Sequence, residues 1–369
     1  MSDQRTWTRR SVLRTSGAIA GVSALAGCIG ADGEPSDESE SYTVSMPPVG
    51  DVEFESVPET WATNNGGWAD MGIALGQEPP EAVYLTSRFH TRYYDEIPDV
   101  SVDTSDIKGI WENGELVPED FMSLSEDVDV FVMDPEFLKG RSDTWNEDEI
   151  ERIEATGTPF FGNSIFSTAY DWHDHEFLTM YEAFEKLAEV FQEQERYEAF
   201  EELHDEFQSN VDDIVPPEDD RPEVAILYPT AEWDGFYPYR IDDGTSYKQW
   251  RDLGVHDALA EAGVEDFLNS RATVGYERLL EIDPEVILIR GQNTISAEEF
   301  QRTIDEKLGD HNVASDLTAV QEDEVYQAGF QQGPILNLVL TQRAAEQLYD
   351  VDEKLYDPQQ VGDIVTGEF

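Results

Sequence analysis

The sequence predicts an α/β protein: two lobes, each built on a mainly parallel sheet, joined by one long rigid helix. Three observations carry this. Short acid-rich helices alternate with short apolar strands along the chain. The same helix-then-strand unit occurs twice, as Pro118–Met133 and as Tyr276–Arg290. Between the two occurrences lies an amphipathic stretch from Phe177 to Ile214. In it Phe177, Tyr181, Phe184, Ala188 and Phe191 recur at steps of four and three. After a slip around Gln192–Arg196, Tyr197, Phe200, Leu203, Phe207, Val211 and Ile214 do the same, and Pro216-Pro217 end the run. As one helix it would be about 55 Å long at ~1.5 Å per residue. The simpler alternative is a long helix inside one large domain; the length favours a strut between two lobes.

The chain opens with a leader. Thr8-Arg9-Arg10-Ser11-Val12-Leu13-Arg14 has the form of a twin-arginine export signal, and Thr15–Ala26 is a small-residue apolar region too short to span a membrane. It ends in Leu25-Ala26-Gly27-Cys28, a lipobox-like sequence. Cys28 is the only cysteine, which excludes disulfides within the chain and thiolate metal clusters and makes lipid attachment its natural role. The expected divisions are a signal at 1–28, an acidic flexible tether at 29–41 and a first lobe at 42–174. A linking helix at 175–216, a second lobe at 221–349 and a tail at 350–369 complete them. The reading places the protein on the outer face of the cell membrane, exported folded.

Charge is the dominant feature of composition. With 81 acidic and 23 basic residues the formal net charge is −58. The 8 Trp, 15 Tyr and 18 Phe distinguish the chain from a disordered acidic polymer and allow a packed core. Acids are spread through most segments, which suits a halophilic protein whose surface charge is screened by molar salt. The charge excludes nucleic acid and an anionic membrane surface as partners.

In the first lobe, Tyr42–Val49 is a short strand, Trp61–Trp68 a Gly-rich polar loop and Ala69–Gly76 a short helix ended by its glycine. Ala82–Leu85 is a strand, and Ser87–Tyr94 is a basic, aromatic island. Pro118 starts a helix leading to the buried strand Val128–Met133; Ile150–Ala155 is helical and Gly157–Gly162 extended. In the second lobe, Glu223–Tyr228 is a strand that opens into an aromatic loop from Pro229 to Tyr247. Trp250–Ala262 is a helix stopped by Gly263, and Glu298–Leu308 and Pro334–Leu348 are the closing helices.

These segments, in this order, resemble the cluster III solute-binding proteins of ABC importers, which carry ferric siderophores, haem and corrinoids. Ala69–Gly76 is similar to the family's "T-E-(I/L)-x-x-A-L-G" helix. Pro118–Met133 and Tyr276–Arg290 are similar to its "S-L-E-x-L-x-x-L-x-P-D-L-V-I" units, and Trp250–Gly263 to its "E-L-L-x-x-A-G" helix. The likeness runs from about Trp61 to Tyr349. It implies a ligand cleft between the lobes and a partner permease dimer with its ATPase subunits. It further implies a monomeric, non-enzymatic receptor tethered to the membrane by lipid, holding a small metal chelate and needing no cofactor of its own. By position, the resemblance assigns permease docking to Asp70 and Asp257, each an Asp where the family has Glu.

Ligands of this kind are held by aromatic faces with a few Arg for anionic groups. Removing the leader's four Arg from 23 leaves 19 basic residues. Arg88 and Arg92 beside Tyr93, Arg240 beside Tyr237 and Tyr239, and Arg290 at a strand's C-terminal end therefore stand out. Trp68, Trp233, Phe330 and Gln331 lie in matching loops. For each Arg the plain alternative is an ion pair with an abundant acid, and for each aromatic it is core packing. His173-Asp174-His175 carries metal-ligating side chains, with Asp171 or Asp174 as a helix N-cap the plainer use. It keeps open a binder of free zinc, manganese or iron. A surface hydrolase is a further alternative, although no Gly-x-Ser-x-Gly, phosphate loop or His-Glu-x-x-His occurs.

Overall fold

A computed structural model of the chain describes residues 41–111, 116–170, 172–292, 294–330 and 332–369. The leader with Cys28, tether residues 29–40, Asp171 and Gln331 lie outside them. An antiparallel hairpin opens the described chain, β1 (Tyr42–Met46) and β2 (Gly50–Phe54), turning through Pro47–Val49. The first sheet is wholly parallel: β3 (Trp61–Thr63), β4 (Ala82–Val83), β5 (Lys108–Gly109) and β6 (Val130–Val132), in the order β5-β4-β3-β6. The second holds β7 (Glu223–Pro229), β8 (Phe236–Tyr239), β9 (His256–Asp257), β10 (Val286–Ile289) and β11 (Val325–Gln327). Its order is β11-β10-β7-β8 with β9 also on β7, and every pairing except β7–β8 is parallel. The α/β class and the mainly parallel sheets are as predicted.

Strand alternation explains how the layers join. Trp61, Val130 and Val132 of the first sheet and Val224, Ile226, Val286 and Leu288 of the second enter one shared core. Their neighbours face outward into separate cores: Ala62 and Phe131 on one side, Ala225, Leu227, Ile287 and Ile289 on the other. The shared core also takes the buried faces of the helices Gly66–Ala74, Met180–Phe191, Gln194–Ile214 and Pro334–Tyr349. The two sheets are thus fastened to one helical layer.

The stretch expected as a single strut is a helical hairpin. Met180–Phe191 ends at Gln192, whose φ of 55° is left-handed, and Gln194–Ile214 begins a new helix. Tyr181 donates to the carbonyl of Phe200 at 3.4 Å, and the Phe184 and Phe200 rings lie 5.9 Å apart. In a continuous helix residues 19 apart would be separated by about 28 Å. The slip in apolar register at Gln192–Arg196 is the reason. The two stripes bury more by folding onto each other than by continuing. Thr179, in a capping box with Glu182, is the N-cap, in place of Asp174.

Four further segments differ from expectation. Trp61–Thr63 is a central strand, and Asn65 caps the following helix by accepting from Gly67 and Trp68 N–H at 2.8 and 3.1 Å. Gly157–Gly162 contributes only one bridge, Phe131 to Phe160. The Trp250–Ala262 helix is split at Gly254 (φ +66), where a Cβ would meet the Arg221 guanidinium at 2.7 Å. The tail contains a helix, Pro358–Thr366, whose Val361 and Ile364 are buried in the shared core.

Candidate functional site

In parallel sheets the strand C-termini carry the loops that meet ligands. At those ends of the first sheet stand Tyr84 after β4, Trp111 after β5, and the short helix Pro135–Lys139 after β6, leading to Arg141. Tyr84 packs edge-on against Trp111 and Phe137, with ring centres 5.3 and 5.2 Å apart. Arg141 lies over the rings of Phe137 (5.0 Å) and Tyr170 (5.6 Å) and donates to the Tyr170 hydroxyl at 3.2 Å. Arg88, in the turn Thr86–Arg88, completes this wall.

The facing wall comes from the second sheet. Arg290 follows β10 directly; its N–H bonds Leu227, which aims the side chain past the end of β7. Its guanidinium sits over Tyr239 (4.0 Å), Phe330 (4.3 Å) and Tyr247 (5.6 Å) and donates to the Tyr247 hydroxyl at 3.0 Å. Antiparallel register places Tyr228 opposite Tyr237, so both share a face with Tyr239, and Phe267 packs on Tyr237 at 4.5 Å.

The walls meet electrostatically. Burial, then Arg290 and Arg141, push the Arg88 pKa down. Burial and then Arg92, Arg290 and Arg88 push His90 to about 3, so its imidazole is neutral. Among the described residues no carboxylate oxygen lies within 4.0 Å of Arg88, Arg92, Arg141 or Arg290. Elsewhere Arg152, Arg196, Arg278, Arg302 and Arg343 each hold an acidic partner.

Of the predicted ligand residues, Arg88, Tyr237, Tyr239, Arg290 and Phe330 are brought together here. Arg92 is committed otherwise. It donates to the carbonyl of Ile295, to Gln327 at 3.0 Å and to the Tyr93 hydroxyl at 3.1 Å, strapping the first lobe to the second. Tyr93 is buried behind it. Trp68 is a core residue of the shared layer, its indole N–H without a partner among the described residues. Trp233 lies in the β7–β8 turn with φ 56° and packs on Phe236, away from Arg290. Arg240 is exposed, only its backbone N–H being held, by Asp266. Sequence reasoning missed Tyr84, Arg141, Tyr170, Tyr247 and Phe267; Tyr84, directly after β4, carried a usable signal.

The docking assignment of Asp70 does not fit its placement. It is fully buried, accepts from Tyr94 Oη at 2.6 Å and Leu336 N at 3.0 Å, and caps the Pro334–Tyr349 helix. Asp257 is likewise a cap, accepting from Ala260 and Ile241 N–H at 2.9 and 2.8 Å. His173 and His175 stack with centres 4.1 Å apart, and no group of three or more His, Cys, Asp or Glu suited to a metal occurs among the described residues. A separate cavity of about 340 Å³ lies between the helical hairpin and the Lys248–Asp252 helix; it shares no residue with the cleft walls.

Two α/β lobes with a cationic, aromatic site at facing strand ends define the class of interlobe binding proteins. Residues 130–331, more than half of the chain, match the periplasmic binding protein family, and the chain belongs to it. No curated protein sequence matches the chain. Among solved structures it is similar to PiuA, an iron uptake ABC transporter substrate-binding protein from Streptococcus pneumoniae. There the identity is 14%, the alignment covers 84% of this chain and 99% of that one, and the TM-score is 0.56. It is also similar to VctP, the periplasmic catecholate-siderophore binding protein of Vibrio cholerae (14%, covering 83% and 100%, TM-score 0.54). An ABC-type Fe3+-hydroxamate transport system protein from Saccharomonospora viridis matches at 17%, covering 83% and 98%, with a TM-score of 0.53. At these identities the likeness is one of fold.

Proposed function

We propose that the protein is an extracellular receptor that captures a ferric-siderophore, haem or corrinoid-type metal chelate between its lobes and delivers it to an ABC import permease. The observation that carries this is the cluster of Arg88, Arg141 and Arg290 among Tyr84, Tyr170, Tyr239, Tyr247 and Phe330, with no acid beside the arginines among the described residues. Aromatic faces suit a large flat or branched chelate, and guanidinium groups suit its anionic oxygens. The family and the fold support a solute-binding role.

Export by the twin-arginine leader and anchoring through lipidated Cys28 belong to the same reading. Among the described residues no helix is long and apolar enough to cross a membrane. The protein works as a monomer in molar salt and makes or breaks no bond in its cargo. The test is an absorption spectrum and mass analysis of the chain purified in molar salt from its native host. A Soret band, a corrin spectrum or a ferric charge-transfer band names the cargo and supports the reading. Stoichiometric zinc or manganese that is lost on changing His173 and His175 overturns it.

A further inference from the structure

A buried chain of side-chain amides lies behind one wall of the cleft. Gln249, in the helix Lys248–Asp252, is fully buried, as are Gln332 and Asn337. Gln249 Nε2 donates to the carbonyl of Gly329 at 2.7 Å, and its Oε1 accepts from Gln332 Nε2. Gln332 Oε1 in turn accepts from Asn337 Nδ2 at 2.9 Å. Gln249 therefore grips the chain at Gly329, just before Phe330, and again at Gln332, two residues after it. Packing leaves the gripped residues little room. A Cβ on Gly329 would lie 2.4 Å from Leu340 Cδ2, and one on Gly333 would lie 2.7 Å from the Gly67 carbonyl oxygen. The centre of the Phe330 ring lies 4.3 Å from the Arg290 guanidinium carbon. Tyr247, two residues before Gln249, accepts from the same guanidinium at 3.0 Å. One short segment thus sets two of the rings around Arg290, Tyr247 directly and Phe330 through Gln249.

We propose that Gln249 is a positioning residue of the cleft, touching no ligand itself and setting the depth at which Phe330 stands in the wall. The inference rests on the solute-binding reading and extends it to a residue behind the site. The residue type follows from the task. At a place closed to water the group must donate to a carbonyl and accept from an amide at once, and a neutral side-chain amide does both. An ionised Glu cannot donate and a Lys cannot accept. An apolar side chain would leave the Gly329 carbonyl and the Gln332 amide buried without these partners, each a costly group. The segment would shift to satisfy them, and Phe330 would move with it. A gap of about 0.5–1 Å already forfeits a quarter to a half of a dispersion contact, so a small shift of the ring is felt by a bound solute.

The experiment is a double-mutant cycle on the full chain in fixed molar potassium chloride, built from Gln249→Met, Phe330→Leu and the pair. Binding of haemin, cyanocobalamin, a ferric tris-hydroxamate and a ferric tris-catecholate is followed by tryptophan fluorescence, and stability by denaturant unfolding. Gln249→Met is expected to weaken binding of the probe that the parent takes roughly tenfold. In the Phe330→Leu background it should change binding less than about twofold, while its cost in stability stays the same in both backgrounds. Gln332→Leu, which breaks the grip on one side only, should lose binding by a smaller factor that likewise vanishes with Phe330→Leu; it serves the cycle if Gln249→Met does not fold. A second readout needs no ligand. With para-fluorophenylalanine incorporated throughout, the fluorine resonance lost in Phe330→Leu belongs to Phe330. It should shift in Gln249→Met while those of Phe121, Phe131 and Phe160, in a separate core, stay in place. A binding loss of the same factor in both backgrounds, or an unmoved Phe330 resonance, overturns the positioning role and leaves the receptor reading intact. If none of the four probes binds the parent, the receptor reading fails and the positioning role fails with it.

Discussion

Replacing Asp70 by Asn should stabilise the protein by an amount that grows as pH rises from about 4 to about 7, and change little below about pH 4. Burial drives the Asp70 pKa from its ordinary 3.8 up to about 7, against hydrogen bonds from Tyr94, Leu336, Gly333 and Ile335 that favour the carboxylate. Between those two values the folded chain holds a proton that the unfolded chain has released. Stability contributed by this group is therefore present at low pH, falls as pH rises from about 4 to about 7, and then levels. The displacement corresponds to about 4 kcal/mol. An Asn fits the same space: its oxygen accepts from the helix N–H and its amide donates to the Tyr94 oxygen, which can also accept. Asp70→Asn and the parent should therefore agree within about 1 kcal/mol at pH 4, and the variant should be ahead by about 2–4 kcal/mol at pH 8.5. Denaturant unfolding in fixed molar salt, read by fluorescence, measures both. Histidines that titrate over the same range are common to the two proteins and cancel in the difference. A stability gap that is the same at both pH values would refute the reasoning.

Gly244→Ala is expected to lose about 1–3 kcal/mol in thermal or denaturant unfolding, because the added Cβ would lie 2.4 Å from the Phe166 carbonyl oxygen and 2.6 Å from its carbon, backbone atoms that cannot swing away. His90 and His204, each held near 3 by burial first, act oppositely to Asp70. The unfolded chain takes up their protons as pH falls from 6.5 towards 3, so their contribution is complete above about 6.5 and is lost below it; His204→Gln should flatten that acid limb. Dialysis into dilute buffer should abolish the native circular dichroism, since 81 acidic residues then repel unscreened; a retained spectrum would count against a salt-adapted surface.

Period and punctuation made much of the fold legible. The apolar runs of β6, β7 and β10 are buried strands as expected, and Gly76 and Gly263 end their helices with positive φ. The errors came where local pattern was overruled by packing. The two apolar stripes of 177–214 fit one helix on periodicity alone, and only the register slip marked the reversal at Gln192. Asp70 occupied the right position in the motif, yet the Pro334–Tyr349 helix covers it, a contact 266 residues away that no local reading supplies. The site was half legible for the same reason. Arg88 and Arg290 stood out by scarcity and by position after a strand. Tyr170 and Tyr247 entered the candidate site only when the fold set them beside arginines.

With a helical hairpin in place of a single strut, both sheets are fastened to one helical layer. A lone helix between two independent lobes would leave them free to rock about its ends. Here alternate residues of both sheets enter one core with the helices, and separating the lobes would expose Val130 and Val132 on one side and Ile226 and Leu288 on the other. It would also break Asp70 from Leu336 and Arg92 from Gln327, and open the backbone contacts from Thr245 and Ser246 to Ile165 and Phe166. Each link is modest alone, but all must fail together in a rigid-body opening. The cleft groups carry no such coupling. The Arg88 guanidinium is partly buried and has no acidic partner among the described residues, and Tyr237 and Tyr239 lie on the edge strand β8. Entry of a ligand therefore costs least through rearrangement of these side chains over a fixed frame.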